Sequence, residues 1–130
     1  MSIEENWATP RGSVSCLHPA PSVVLIRLAG HLEASFAERI RQSVEAILDA
    51  GHQPHLFFDA WEATSLETRF RTQLTPWHKE IHSKVKSQNV LVKSKIVAMA
   101  ISVANMAVGH IIKPYNKRHE FEAAIEAAQR

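Results

Sequence analysis

A carboxylate, three hydroxyls and two guanidiniums crowd the stretch from Asp59 to Arg71, at Asp59, Thr64, Ser65, Thr68, Arg69 and Arg71, with Trp61, Glu62 and Glu67 among them. Hydroxyls beside arginines suit phosphate chemistry: a phosphorylated Ser or Thr gains strong negative charge, and arginine is its best side-chain partner. Neither a base nor a second nucleophile accompanies Asp59 in the sequence, so the stretch reads as a switch or a partner contact and not as an active site. Capping is the simplest structural role for the first two hydroxyls, Thr64 and Glu67 having the spacing of a capping box at the start of a helix. Thr68 falls in the first turn of that helix, where it has no capping duty. Asp59 ends an apolar run and reads as a strand-end carboxylate that accepts backbone N–H groups just downstream.

Other reactive side chains are less organised. His78 and His82 stand four apart, as two metal ligands on one helix face would, but the run His78-Lys79-Glu80-Ile81-His82 lacks the H-E-x-x-H order and a third ligand. They read as surface histidines, with no metal and no cofactor implied. Cys16 has no base near it in sequence. Charge is uneven: residues 1–67 carry 4 Lys/Arg against 9 Asp/Glu, a net of −5, whereas residues 68–118 carry 10 against 1, a net of +9. The basic stretch lacks a nucleic-acid motif or interleaved exposed aromatics, which argues against nucleic acid and for a solvated face or an acidic protein surface.

These residues need a scaffold to position them. At 130 residues the chain suits one domain with a real core. Strands are expected at residues 13–18, 22–29, 55–59, 89–93 and 110–113, the second and third nearly continuous in apolar residues, as in a sheet covered on both sides. Ser35 with Glu38 forms a capping box for a first helix carrying Phe36, Ile40, Val44, Ile47 and Leu48 on one stripe, and Gly51 stops it. A second helix opens at Thr64 and carries Leu66, Phe70, Leu74, Trp77, Ile81 and Val85 in one phase through Pro76, as one kinked helix or two nearly coaxial ones. Ser94 caps a third helix, Lys95 to about Ala107, which is apolar almost all round and includes Met99 and Met106. Asn116 caps the last. Residues 1–12 read as a flexible arm with Trp7 docking on the body, and residues 13–130 as the domain. The order β-β-α-β-α-β-α-β-α predicts an α/β layer fold, a mostly parallel mixed sheet of four to five strands with four helices.

Particular residues carry a resemblance. Val24 to Glu33 is similar to the opening strand of the STAS family (sulphate transporter and anti-anti-sigma factor domains) with its "G-x-L/I-D" ending. Leu56-Phe57-Phe58-Asp59 is similar to that family's apolar strand ending in Asp, and Arg118-His119-Glu120-Phe121-Glu122-Ala123-Ala124 to its last helix. The resemblance spans roughly residues 13–128 and is strongest to the SpoIIAA-like branch. It implies a non-enzymatic bacterial regulatory module that binds protein partners such as an anti-sigma-type kinase. It also implies a phosphorylated Ser at the start of the second helix after an Asp. Counting from Asp59, Glu67 stands where that Asp would be and Thr68 where the Ser would be, with Arg69-Phe70-Arg71 replacing the family's small residues.

Thr68, Ser65 and Thr64 are therefore the phosphorylation candidates. Asp59, Trp61, Glu62, Glu67, Arg69, Arg71, Met99 and Met106 are the partner-binding candidates. Two alternatives come from other classes. One is a carrier of a small hydrophobic ligand or lipid, its third and fourth helices lining a pocket, a reading the Sec14-like lipid-binding fold supports through its related shape. The other is a scaffold that self-associates as a homodimer through the apolar third helix. The lone cysteine, the absence of an apolar core in residues 1–6 and the lack of a membrane-length apolar run point to the cytoplasm, with no membrane span.

Overall fold

The computed structural model describes residues 4–130; residues 1–3, the start of the expected arm, lie outside the described residues. One six-stranded sheet runs in chain order: β1 (Glu4–Ala8), β2 (Gly12–Ala20), β3 (Val23–Leu32), β4 (His55–Leu66), β5 (Ser87–Val92) and β6 (Ile112–Tyr115). β1–β2 and β2–β3 pair antiparallel, and β3 to β6 pair parallel. The helices α1 (Ala34–Asp49), α2 (Thr68–Ile81) and α3 (Lys95–Ala107) make the three parallel crossovers, and α4 (Arg118–Ala128) follows β6. Each crossover joins neighbouring strands in the same direction across the sheet, so one handedness puts all three helices on one face. Only α4 remains for the other face. Two cores result. Val24, Ile26, Leu56, Phe58 and Val90 point to Phe36, Phe70 and Val97 of the three-helix layer, while Val23, Leu25, Phe57 and Leu91 point to Phe121 of α4. Burial on both faces is why these strands read as unbroken apolar runs.

The expected α/β layer fold and mostly parallel sheet are present, with six strands instead of four to five and the order β-β-β-α-β-α-β-α-β-α. The additional strand comes from the segment read as a flexible arm. Glu4–Ala8 lie in register against Leu17–Ser13, so the arm is corrected to an edge strand with a short connection into β2. Its sequence is polar and carries little strand signal; the ladder to β2 supplies the order. Trp7 does dock as expected, half-buried, with the Arg39 guanidinium 5.9 Å from its ring centre.

Local signals failed where backbone geometry overrode them. Gly30 does not end β3. It sits at φ 72°, where a Cβ would lie 2.4 Å from the Arg11 carbonyl oxygen, and the strand continues to Leu32. Neither expected capping box forms: α1 begins at Ala34 with Glu33 as its N-cap, and α2 begins at Thr68 with Glu67 as its N-cap. Asn116 is not a cap either, since α4 starts at Arg118 after Lys117. α2 passes unbroken through Pro76, and the Thr75 hydroxyl donates to the Arg71 carbonyl at 2.8 Å in the turn before it. Gly51 (φ 95°) follows the end of α1 as expected, and Ser94 Oγ accepts from Val97 N at 3.4 Å at the start of α3.

Candidate functional site

β4 does not stop at Asp59. Arg27 pairs with Asp59 but Ala29 with Glu62, and Gly30 pairs with Ala63 but His31 with Ser65, so β4 carries an extra residue twice, around Ala60–Trp61 and at Thr64. Bulges of this kind re-aim side chains and leave ladder groups to be satisfied elsewhere. Here Asp59 does that work. Its Oδ1 accepts the Trp61 N–H at 3.1 Å, and both carboxylate oxygens accept from Arg118, at 3.1 and 3.2 Å. The Trp61 ring lies between two cations, with Lys93 Nζ and the Arg118 guanidinium each 5.5 Å from its centre. Asp59 is almost fully buried and Arg118 partly exposed, so this corner is a brace: it fixes the start of α4 to the centre of the sheet.

Glu62 and Thr64 are exposed on the part of β4 that runs past the end of β5, where its only strand neighbour among the described residues is β3. The Ser65 hydroxyl lies 2.7 Å from His31 Nδ1 across that pair. At the end of the strand, Glu67 joins two helix starts. Its backbone N–H donates to the Leu32 carbonyl, and its carboxylate accepts the N–H of Ala34, the first residue of α1. Thr68 follows as the exposed first residue of α2. Glu67 is thus a partner-binding candidate with a demonstrable structural task. Arg69 is exposed, and Arg71 turns toward α3.

Between α2 and α3 the sheet floor is left partly uncovered, and a cavity of about 80 Å³ opens there, its lining almost entirely apolar. Phe70, Leu74 and His78 face Val97, Ala100 and Ala104 across it. Beyond the cavity, α3 shows solvent a stripe of Ile96, Met99, Val103 and Met106, each between 53% and 69% exposed, more than an isolated surface methionine requires. Met99 and Met106 therefore stand together on an open surface. The pocket expected between the third and fourth helices is corrected: α4 lies on the opposite face, and α2 supplies the second wall.

The histidine reading is corrected as well. His78 is buried, its Nδ1 2.6 Å from Gln88 Oε1, while Gln88 Nε2 donates back to the His78 carbonyl at 2.9 Å. Burial pushes its pKa down to about 4, against the opposing pull of Gln88, so the ring is neutral at pH 7. His82 is exposed on the short turn His82–Lys84, so one of the two histidines is buried and only the other is at the surface. Among the described residues no three His, Cys, Asp or Glu side chains cluster as metal ligands would. Burial, with Glu5 nearby, pushes the Cys16 thiol up to about 11 despite a hydrogen bond with Ser43, so it stays protonated near neutral pH and is a poor nucleophile. No helix among the described residues is long and apolar enough to cross a membrane.

Asp59 and Trp61 thus share one corner, and Glu67, Thr68 and Arg71 share another rim. Sequence reasoning did not assign Arg118 or Lys93 to the site. Their partners are distant in sequence, and the one available signal was an arginine beside the start of the last helix.

No family model and no curated protein sequence matches this chain. Solved structures do. The unphosphorylated anti-sigma factor antagonist SpoIIAA superposes with a TM-score of 0.67 at 14% identity, over 85% of this chain and 95% of its own. An anti-sigma factor antagonist from Mycobacterium paratuberculosis superposes with 0.61 at 11%, over 97% and 95%. The phosphorylated form of the Bacillus cell fate determinant SpoIIAA gives 0.65 at 13%, over 85% and 98%. Strand order, helix placement and these superpositions agree, and the chain has the STAS/SpoIIAA-like fold.

Proposed function

We propose that this chain is a non-enzymatic regulatory module that acts by protein–protein contact, in the manner of the anti-sigma factor antagonists whose fold it shares, and that Thr68 is its phosphorylation switch. The observation that carries this reading is the setting of Thr68: exposed, first in α2, and next to the residue where two helix N-termini meet. Helix N-termini favour negative charge, and Arg69 and Arg71 add full positive charges within the first turn, so a phosphate there is stabilised on three counts. Ser65 is the weaker candidate because its hydroxyl is engaged with His31, and Thr64 because it lies within β4, away from the start of α2. SpoIIAA itself is known in phosphorylated and unphosphorylated forms. The partner surface in this reading joins Thr68, Arg69 and Arg71 to the exposed stripe of α3, and the partner is an anti-sigma-type kinase or a related regulator. Incubation with a Ser/Thr kinase and ATP tests the switch: one phosphate on the intact chain, absent from Thr68→Ala, is expected. Phosphate retained by Thr68→Ala would remove Thr68 from the mechanism.

The cavity between α2 and α3 favours a second reading, a carrier of a small apolar ligand. Native mass spectrometry of the freshly purified chain separates the two, since a carrier would retain a hydrophobic molecule that denaturation releases.

A further inference from the structure

Resting on the reading of this chain as a partner-binding module, we infer that the groove between α2 and α3 receives an acidic amphipathic helix from another protein. Two observations converge. First, the groove is concave and apolar, with the α3 stripe extending it outward through Ala100 and Ile96, so it offers a continuous apolar seat for a helix laid between two helices. A flat bilayer would touch the stripe and leave the cavity unfilled.

Second, the charges around the groove are mostly positive, and the one carboxylate on that rim, Glu67, is engaged with the Ala34 N–H. Thr68, Arg71, Thr75 and Lys79 succeed one another at spacings of three and four along α2, hence on one side, and Arg71 and Thr75 line the cavity. Lys95 opens α3, and α3 contains no acid. The one acid of α2, Glu80, falls about half a turn from Arg71 and Thr75 on the helix. A second copy of this chain docked symmetrically would set these cations against themselves, whereas a helix flanked by Asp and Glu would neutralise them and be drawn in by the +9 stretch.

The test uses the full chain and a displayed library of helical peptides whose apolar positions are fixed at i, i+3, i+4 and i+7 and whose flanking positions are randomised. Enriched peptides should carry Asp and Glu at the flanks. The best of them should bind about tenfold more weakly to Arg71→Glu, and equally well to Arg11→Glu, a reversal of the same size away from the groove. Ala100→Trp, which fills the groove, should lose binding while circular dichroism shows the fold retained. Enrichment of basic or neutral flanks, or equal binding to Arg71→Glu and Arg11→Glu, would overturn the inference. So would hydrogen-exchange protection of α3 by phosphatidylglycerol vesicles or by self-association without any selected peptide. A protein partner that binds in a Thr68-dependent way but is indifferent to Arg71→Glu and Ala100→Trp would overturn the groove alone and leave the regulatory reading standing.

Discussion

Two corners of this molecule are built from the same stretch of chain, and they have opposite characters. At Asp59 every strong polar group is spent internally: the carboxylate holds the Trp61 N–H and both arms of Arg118, and Trp61 lies between Arg118 and Lys93. At Thr68 the chain has just left the sheet, Glu67 alone is committed to the backbone, Thr68 and Arg69 are exposed, and Arg71 lines the groove. An acid at the end of an apolar run attracts functional interpretation, yet here it is the brace. The neighbouring residues with fewer internal obligations keep their chemistry available to a partner.

That contrast can be broken by measurement, beginning with the largest effect. The α2 wall of the groove should behave like the brace, because His78 is as enclosed as Asp59. Its folded-state pKa of about 4 lies below the ordinary 6.5, so the unfolded chain takes up the proton first as pH falls. The contribution of the neutral ring is fully present above about pH 6.5 and is lost as pH drops toward 4, a loss on the order of 3 kcal/mol. Urea unfolding at several pH values should show this slope in the native chain and a shallower one in His78→Asn. An equal slope in both would place the acid sensitivity elsewhere.

Asp59→Ala comes next, at about 2 kcal/mol, because it leaves the Arg118 charge and the Trp61 N–H without their partner. Arg118→Lys should cost about half as much, through the lost bidentate geometry and ring contact. Glu67→Ala removes the cap on the first N–H of α1 and should cost about 1 kcal/mol. Thr68→Ala should change stability by no more than about 0.5 kcal/mol, as an exposed position without a structural task does. If Asp59→Ala proved neutral and Thr68→Ala destabilising, the assignment of brace and switch would be reversed.

Much of this architecture was legible in the sequence because the apolar patterning is strong. The runs at Val23–Leu28 and Leu56–Phe58, and the stripes from Phe36 and Phe70, gave the layers and their order. What patterning could not show was the behaviour of the backbone between them. The two bulges of β4 hid seven further strand residues in a stretch whose mixed types resemble a loop, which put the apparent helix start at Thr64 instead of Thr68. β1 was invisible because an edge strand with one inward Trp has no period of its own. Glu67 caps a helix, but it is α1 and not its own, a contact across the fold that no local motif encodes. Arg118 and Asp59 meet across 59 positions for the same reason. His78 looked like surface beside His82, and only its pairing with Gln88 reveals a buried hydrogen-bonded ring.

Thr68 carries the central claim, and phosphosite mapping of the full chain isolated from growing cells tests it most directly. Phosphate on Thr68 and none on Thr64 or Ser65 is the expected result. Phosphate confined to Thr64 or Ser65, or an unmodified chain under every growth condition, would contradict it.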